Sequence, residues 1–314
     1  MDKMKILIDT DIGDEIDDAL ALTLALKCDK IDVVGITTTY MDTMFRAKLV
    51  KKFLTAFSKQ NIPCYAGYGK TEEGFNFHPL NVKEVYDGLY QDFSVNENPE
   101  DAVDFIIDSC YKYGKDLTVV AIGPFTNIAK VIKKDASALK QIKQVVIMGG
   151  AYFKQYADWN VFCDTISAKV MFDELPNIYA VGADVTHKLV VPQNLTDKLI
   201  NYDGADEGVK LLSKHAKVWQ KASEKAWSGK PELVLHDPLA VYSVIDKSFV
   251  TSEKAPVFVI TDGAMKGFTF NANAYSKSSL NPYYKTNSVN EVTVAKTVDS
   301  KAFIDKYFDI ILNK

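Results

Sequence analysis

Six of the ten residues from Asp9 to Asp18 (DTDIGDEIDD) are acidic, between the apolar run Ile6–Ile8 and the apolar stretch Ala19–Leu22. Carboxylates this crowded raise one another's pKa unless positive charge intervenes. Asp17 and Asp18 open an apolar helical pattern, but a helix N-terminus carries only about half a unit charge. A divalent cation would neutralise more, and an all-oxygen donor set suits Ca²⁺ or Mg²⁺ rather than zinc. The ordinary alternative is a solvated turn whose acids point to water. An EF-hand is excluded, because Asp14 stands where Gly is required and Leu20 where the bidentate Glu belongs.

Other segments carry candidate groups. In LHDPLAV, His236 and Asp237 precede a Pro that can open a helix; the plain alternative is a capping Asp beside an incidental His. In AIGPFTN, Gly123 and Pro124 can leave the carbonyl of Ile122 facing a ligand. In DWN, Asp158 and Asn160 can hold vicinal hydroxyls, or can form an ordinary Asx-turn. Asp184 and His187 in GADVTHK read as structural groups at a strand end. Trp219 and Trp227 lie eight apart on a helical pattern and read as packing, with Trp227 the better candidate for a pocket wall.

The elements that must position these groups alternate. KILIDT, IDVVGITTT, DLTVVAIG, QVVIMGG and NIYAVGAD read as buried strands. DDALALTLALK, RAKLVKKFLTAF, FTNIAKVIKK and TISAKVMFDEL read as helices between them, and residues 203–227 as a long one. APVFVITDG, GFTFNANAY and NEVTVAKTV look like late strands, and SKAFIDKYFDIIL like a closing helix. This rhythm predicts an α/β fold: residues 1–314 as a single domain, with a mostly parallel, Rossmann-like sheet, helices on both faces and a few C-terminal strands. Ligands of such sheets sit outside the carboxyl ends of the strands, and every candidate segment except HDP follows a predicted strand. Gly67–Pro99 is the least regular region and reads as a binding loop or lid.

Composition narrows the partners. The chain has 314 residues, a net charge of −4 and scattered basic residues, which argues against nucleic acid or an anionic membrane as partner. No signal peptide is visible, no apolar stretch approaches the roughly 18 residues of a membrane helix, and the four cysteines are widely spaced, so a reduced cytoplasmic location is expected.

The motifs occur in an order that resembles the inosine/uridine-preferring nucleoside hydrolases. DTDIG…DDA matches that family's DTDPG and DDA, and TTTYMD matches its TT…GN strand end. IGPFTN matches TGPLTN; MGG matches outright; ADWNVFCD matches AEFN…D; GADVTH matches GLDLTH; and HDP closes the series at His236–Pro238. The resemblance implies Ca²⁺-dependent cleavage of the N-glycosidic bond of ribonucleosides, in nucleoside salvage, by a homodimer or homotetramer. It implies metal ligation by Asp11, Asp18, the Ile122 carbonyl and Asp237, with Asp11 also placed to take a proton from the attacking water. Asp17, Asp42 and Asn160 would bind the ribose hydroxyls and Asp158 would reach toward the 5′ side. His236 would lie beside the leaving base, with Trp227 as a wall. Carboxylates suit such a reaction because the sugar becomes a cation in its transition state.

Four departures bear on the sugar. Two extra residues separate Asp11 from Asp17, so Asp14–Glu15 competes with Asp17–Asp18 for the roles; the latter pair is preferred because it directly precedes the apolar helix. Asp42 replaces the usual Asn, Asp158 replaces a Glu, and the loop after Gly150 is short. A neutral ribonucleoside, or one modified at 5′ without negative charge, is therefore expected. Two rivals are a Mg²⁺-dependent phosphatase and a non-catalytic nucleoside-binding relative. The first rests on DTD, which resembles haloacid-dehalogenase phosphatases, although Gly13 stands where Thr or Val is expected.

Overall fold

The computed structural model describes residues 3–88, 93–227, 229, 231–273 and 290–313, the side chains of Trp227 and Asn313 excepted. Its first half alternates β1 (Met4–Thr10), α1 (Asp17–Lys27), β2 (Ile31–Thr38), α2 (Thr43–Ala56), β3 (Cys64–Ala66), α3 (Val82–Val85), α4 (Glu100–Tyr113), β4 (Leu117–Ala121), α5 (Thr126–Gln141) and β5 (Gln144–Met148). There follow α6 (Trp159–Cys163), α7 (Thr165–Glu174), β6 (Ile178–Val181), α8 (Ala183–Thr186), α9 (Gln193–Ile200), α10 (Glu207–Trp227) and α11 (His236–Tyr242). β7 (Val250–Val259), β8 (Thr269–Asn271), β9 (Glu291–Val298) and α12 (Ser300–Asn313) complete the described chain.

The nine strands of the described residues join one sheet in the order β3-β2-β1-β4-β5-β6-β9-β7-β8. From β3 to β9 every pairing is parallel, and β7 runs antiparallel to both β9 and β8. β1 and β4 are neighbours, while β2 and β3 extend the sheet the other way, so the strand order reverses at β1/β4. That reversal opens a crevice at the carboxyl ends of these two strands. Two hydrophobic clusters flank the sheet. One gathers α1, α2, α10, α11 and α12 around Ile6, Ile8, Leu20, Leu24 and Phe303; the other gathers α4, α5 and α7 around Leu7, Val119 and Val145. β1 contributes alternate residues to the two, as a strand covered on both faces must.

The strands other than β3, a three-residue edge strand with no apolar run to mark it, lie where the sequence places them, and α1 has the same ends. β7 begins at Val250, five residues before the apolar run, because the polar segment VTSEK pairs along β9. The strand expected over GFTFNANAY is β8, and its last residues lie outside the described ones. α4 was not anticipated, although Ala102, Val103, Ile106 and Cys110 bury one helical face. No helix among the described residues is long and apolar enough to cross a membrane, and all four cysteines are free and buried.

Candidate active site

The acidic turn runs from β1 into the first turn of α1. Two glycines allow its path. Gly13 adopts φ +114°, which an L side chain rarely adopts. A Cβ at Gly123, after β4, would lie 2.7 Å from Asp11 Oδ1 and 2.9 Å from its backbone nitrogen. The bare backbone is what lets the β4 loop approach Asp11.

Asp17 and Asp18 in the first turn of α1 meet Asp237 in the first turn of α11, and carboxylate oxygens of all three lie within 4.8 Å of one another. All three are at least nine-tenths buried, as is Asp11. Burial first, then repulsion from Asp18, holds the Asp11 pKa well above the usual carboxylate range. Asp18 is raised by burial and by Asp17, and Asp237 by burial and then by Asp17, Asp18 and Asp11. Asp17 is pushed up to about 7, by burial and then by Glu15. Thr10 donates its hydroxyl to Asp18 Oδ1. Asp237 Oδ1 is buried without a hydrogen-bond partner among the described residues. A buried, unpaired carboxylate oxygen is costly; here it faces a cluster made of nothing but oxygen donors. These residues fit a hard divalent cation.

Asp9, one strand position earlier, is structural. Its Oδ1 accepts from Thr37 Oγ1 (2.6 Å) and Asn127 Nδ2 (2.8 Å), tying β1 to β2 and to α5. The carbonyl of Ile122 accepts from Asn160 Nδ2 at 3.0 Å, and the same amide reaches the Met148 carbonyl at 3.1 Å. Asn160 thus staples the ends of β4 and β5 beside the carboxylates. Asp158 caps α6 by accepting from Val161 N (3.1 Å), and burial raises its pKa to about 6.

A cavity of about 550 Å³ opens over these groups, a size typical of small-molecule sites. Asp11, Asp17, Asp18, Asp237 and Ile122 line one part. Met148, Tyr156, Asp158, Asn160, His187, Trp219, Val234 and His236 are among the residues that line the rest. His236 Nδ1 is 2.6 Å from Thr186 Oγ1, and its ring stands edge-to-face with His187 at 5.0 Å. Burial, reinforced by His187, lowers the His236 pKa to about 3, so the ring is neutral at pH 7.

The structure thus brings Asp11, Asp17, Asp18, Ile122, Asp158, Asn160, His236 and Asp237 to one cavity. Asp42 does not line it: its carboxylate caps α2 by accepting from Phe45 N (3.0 Å), and its side chain is 42% exposed. The side chain of Trp227 lies outside the described residues. Trp219, expected to serve packing, is buried and also forms cavity wall. Asp184 is structural as expected, accepting from the backbone of Tyr152 and Phe153, whereas its neighbour His187 faces the cavity. Within the irregular 67–99 region, His78 and Pro79 reach the wall, His78 lying 5.6 Å from the Trp159 ring. Nothing local marks His78 or Glu232, because only the folded loops carry them to the cavity.

The family is settled by comparison. Residues 6–305 match the model of the inosine-uridine preferring nucleoside hydrolases, and the chain belongs to that family of hydrolases. It is 30% identical over 285 residues to the inosine-uridine preferring nucleoside hydrolase of Leishmania major, with 83% of this chain and 85% of that protein covered. A probable uridine nucleosidase of Arabidopsis thaliana is 28% identical, covering 99% and 98%. Among solved structures, a plant nucleoside hydrolase superimposes with a TM-score of 0.84 at 25% identity over 99% of both chains. A purine-preferring ribonucleoside hydrolase of Gardnerella vaginalis gives 0.79 at 27% over 98% of both.

Proposed function

We propose that this enzyme hydrolyses the N-glycosidic bond of neutral ribonucleosides with Ca²⁺ as its metal, releasing free base and ribose. The observation that carries the reading is the meeting of Asp17, Asp18 and Asp237, with Asp11 alongside, at the N-termini of two helices. Four buried carboxylates with raised pKa values need a cation of higher charge than a helix end supplies. Asp11, Asp18, Asp237 and the Ile122 carbonyl are the proposed ligands, and Asp17 stands beside them to hold the ribose. A bound Ca²⁺ would supply charge for vicinal hydroxyls and would acidify water.

The chain's own residues supply the rest. Asp11 is the proposed base for the attacking water. Once the carboxylates are ionised, they stabilise the positive charge that develops on the sugar. Asn160 keeps the ends of β4 and β5 in register beside the sugar, and Asp158 is proposed on the 5′ side. His236, kept neutral and tethered to Thr186, presents an imidazole to the leaving base without adding a cation next to a developing cation. The phosphatase reading leaves HDP, IGPFTN and DWN without a role, although all three converge on the same cavity.

The test is direct. Protein stripped of metal is titrated with Ca²⁺, Mg²⁺ and Zn²⁺ against a panel of ribonucleosides and phosphate esters, with free ribose and free phosphate assayed. Ribose release restored by Ca²⁺ is expected. Phosphate release without ribose, or ribose release at full rate in the stripped protein, refutes the reading.

A further inference from the structure

Arg46, near the start of α2, has a fully buried side chain. Arginines are almost never wholly buried unless paired. Here Nε donates to the Tyr40 carbonyl (2.8 Å), Nη1 to the carbonyls of Ile12 (3.0 Å) and Asp11, and Nη2 to Asp14 Oδ2 (2.8 Å). Four of the five N–H donors of a guanidinium are thereby engaged. Three of the acceptors lie in the acidic turn after β1. The other lies in the turn after β2, where Tyr40 and Met41 are left-handed, φ 66° and 56°.

These bonds act on one peptide unit in particular. The Asp11–Ile12 peptide presents its carbonyl to Arg46, and its N–H donates to Thr10 Oγ1 at 3.1 Å, while the Thr10 hydroxyl donates to Asp18. The plane of that peptide is therefore held at both ends. A fixed plane fixes the backbone at Asp11, and the backbone limits the rotamers open to the side chain. Immediately beyond, Gly13 at φ +114° is a point at which an untethered chain could swing. Arg46 brings a permanent charge to this place, and an uncompensated cation beside a cation site repels the metal. Asp14, 3% exposed, supplies the opposite charge from within the same turn.

We propose that Arg46 is a positioning residue for the metal site: its forked guanidinium fixes the Asp11 peptide and so the aim of the Asp11 carboxylate, while Asp14 cancels its charge. The inference rests on the calcium reading above. It fixes the sign of an effect. If Arg46 acted only through charge, removing it would tighten Ca²⁺ binding, because one cation is taken from beside another. As a positioning residue, its removal weakens binding. Lysine keeps the charge but not the planar fork, so it does not substitute.

The test uses the full-length protein stripped with chelator, with Ca²⁺ affinity read by calorimetry and the melting temperature taken in chelator. Arg46→Lys is expected to raise the Kd for Ca²⁺ about tenfold or more, the range for residues that orient metal ligands. Arg46→Met combined with Asp14→Leu replaces a neutral ion pair by apolar side chains. It leaves the net charge of the site unchanged, and it is expected to raise the Kd to a similar extent. This second variant decides the matter should Arg46→Lys not fold. A merely structural clamp lowers the melting temperature and leaves the Kd where it is. A Kd unchanged or lowered in both variants overturns the proposal, and failure of both to fold assigns the clamp to the fold and overturns it too. Wild-type protein that binds no Ca²⁺ overturns the calcium reading, and this inference with it.

Discussion

The two walls of the cavity are built on opposite electrostatic principles, the first from buried carboxylates and the second from side chains that are half-buried or, at His187, exposed. The wall at β1, α1 and the start of α11 concentrates Asp11, Asp17, Asp18 and Asp237, all with raised pKa values. The wall at β5, β6 and the loops around them carries Tyr156, His187, Val234 and His236, and there burial drives the imidazoles the other way, toward the neutral form. The same desolvation produces both shifts, because it disfavours whichever form is charged. The first wall is unfinished without a cation; the second is complete as it stands and offers a neutral, partly aromatic surface. The difference matches a substrate with a sugar that becomes positive at one end and a neutral base at the other.

The largest expected effect breaks the first wall. Asp237→Asn and Asp18→Asn are expected to lose ribose release by about 10³-fold or more, as ligand and electrostatic stabilisation go together. In metal-free protein the same substitutions are expected to stabilise the fold by about 1 kcal/mol, because they remove one charge from a repelling group. Thermal melts with chelator decide this; a lower Tm in both variants would show that the carboxylates do not strain the apo fold.

Next comes the second wall. His236→Phe is expected to cost about 10²-fold or more in kcat while leaving the affinity for Ca²⁺ within about twofold, the factor by which such contributions commonly scatter with context. Calcium titration monitored by calorimetry, beside steady-state kinetics, separates the two. Calcium affinity falling in step with kcat would mean that the walls do not act independently.

A smaller effect sharpens the boundary of the first wall. Asp17→Asn is expected to lose about 10²-fold, whereas Glu15→Gln, half-buried and outside the carboxylate trio, is expected to stay within about tenfold. The reverse ranking moves the site from the helix start back into the insertion.

The smallest effect serves as a control away from both walls. His215 is buried, stacked on Tyr86 with ring centroids 3.8 Å apart, and its pKa is lowered to about 3 by burial. Between that value and the ordinary value of about 6.5, the unfolded chain binds a proton that the folded one does not. The contribution of the neutral ring is present in full above pH ~6.5 and is lost as pH falls toward 3, at about 1.4 kcal/mol per pH unit at most. His215→Phe is expected to flatten the acid side of the stability profile and to leave ribose release unchanged. Urea melts from pH 4 to 7 measure the slope, and an unaltered slope assigns the acid sensitivity to other groups.

Much of this protein was legible before folding was considered. α1 could be read to its ends because ten of its eleven residues are buried and the acids before it mark its start. The parallel strands were legible as short apolar runs, since a strand covered on both faces has no polar alternation. The short helices α6, α8 and α9 were not, as one or two turns carry too little periodicity. β7 runs beyond its apolar stretch because half of it is a polar strand whose pairing with β9 is long-range.

For the site, sequence by itself determined the chemistry of the donors: the acids of the first turn, the Asp of HDP, the Asn of DWN and the order in which they occur. These are local facts, fixed by residue type and by proximity to a strand end. Which acids meet was decided only in three dimensions. α11 brings Asp237 to Asp17 and Asp18 from more than 200 residues away. Arg46 draws Asp14 out of the cluster, and a left-handed turn at Tyr40 and Met41 leaves Asp42 capping a helix. A carboxylate has the same formula in each of these places. Its role depends on what lies within hydrogen-bond reach and on how much water is excluded, and both are properties of packing between elements distant along the chain.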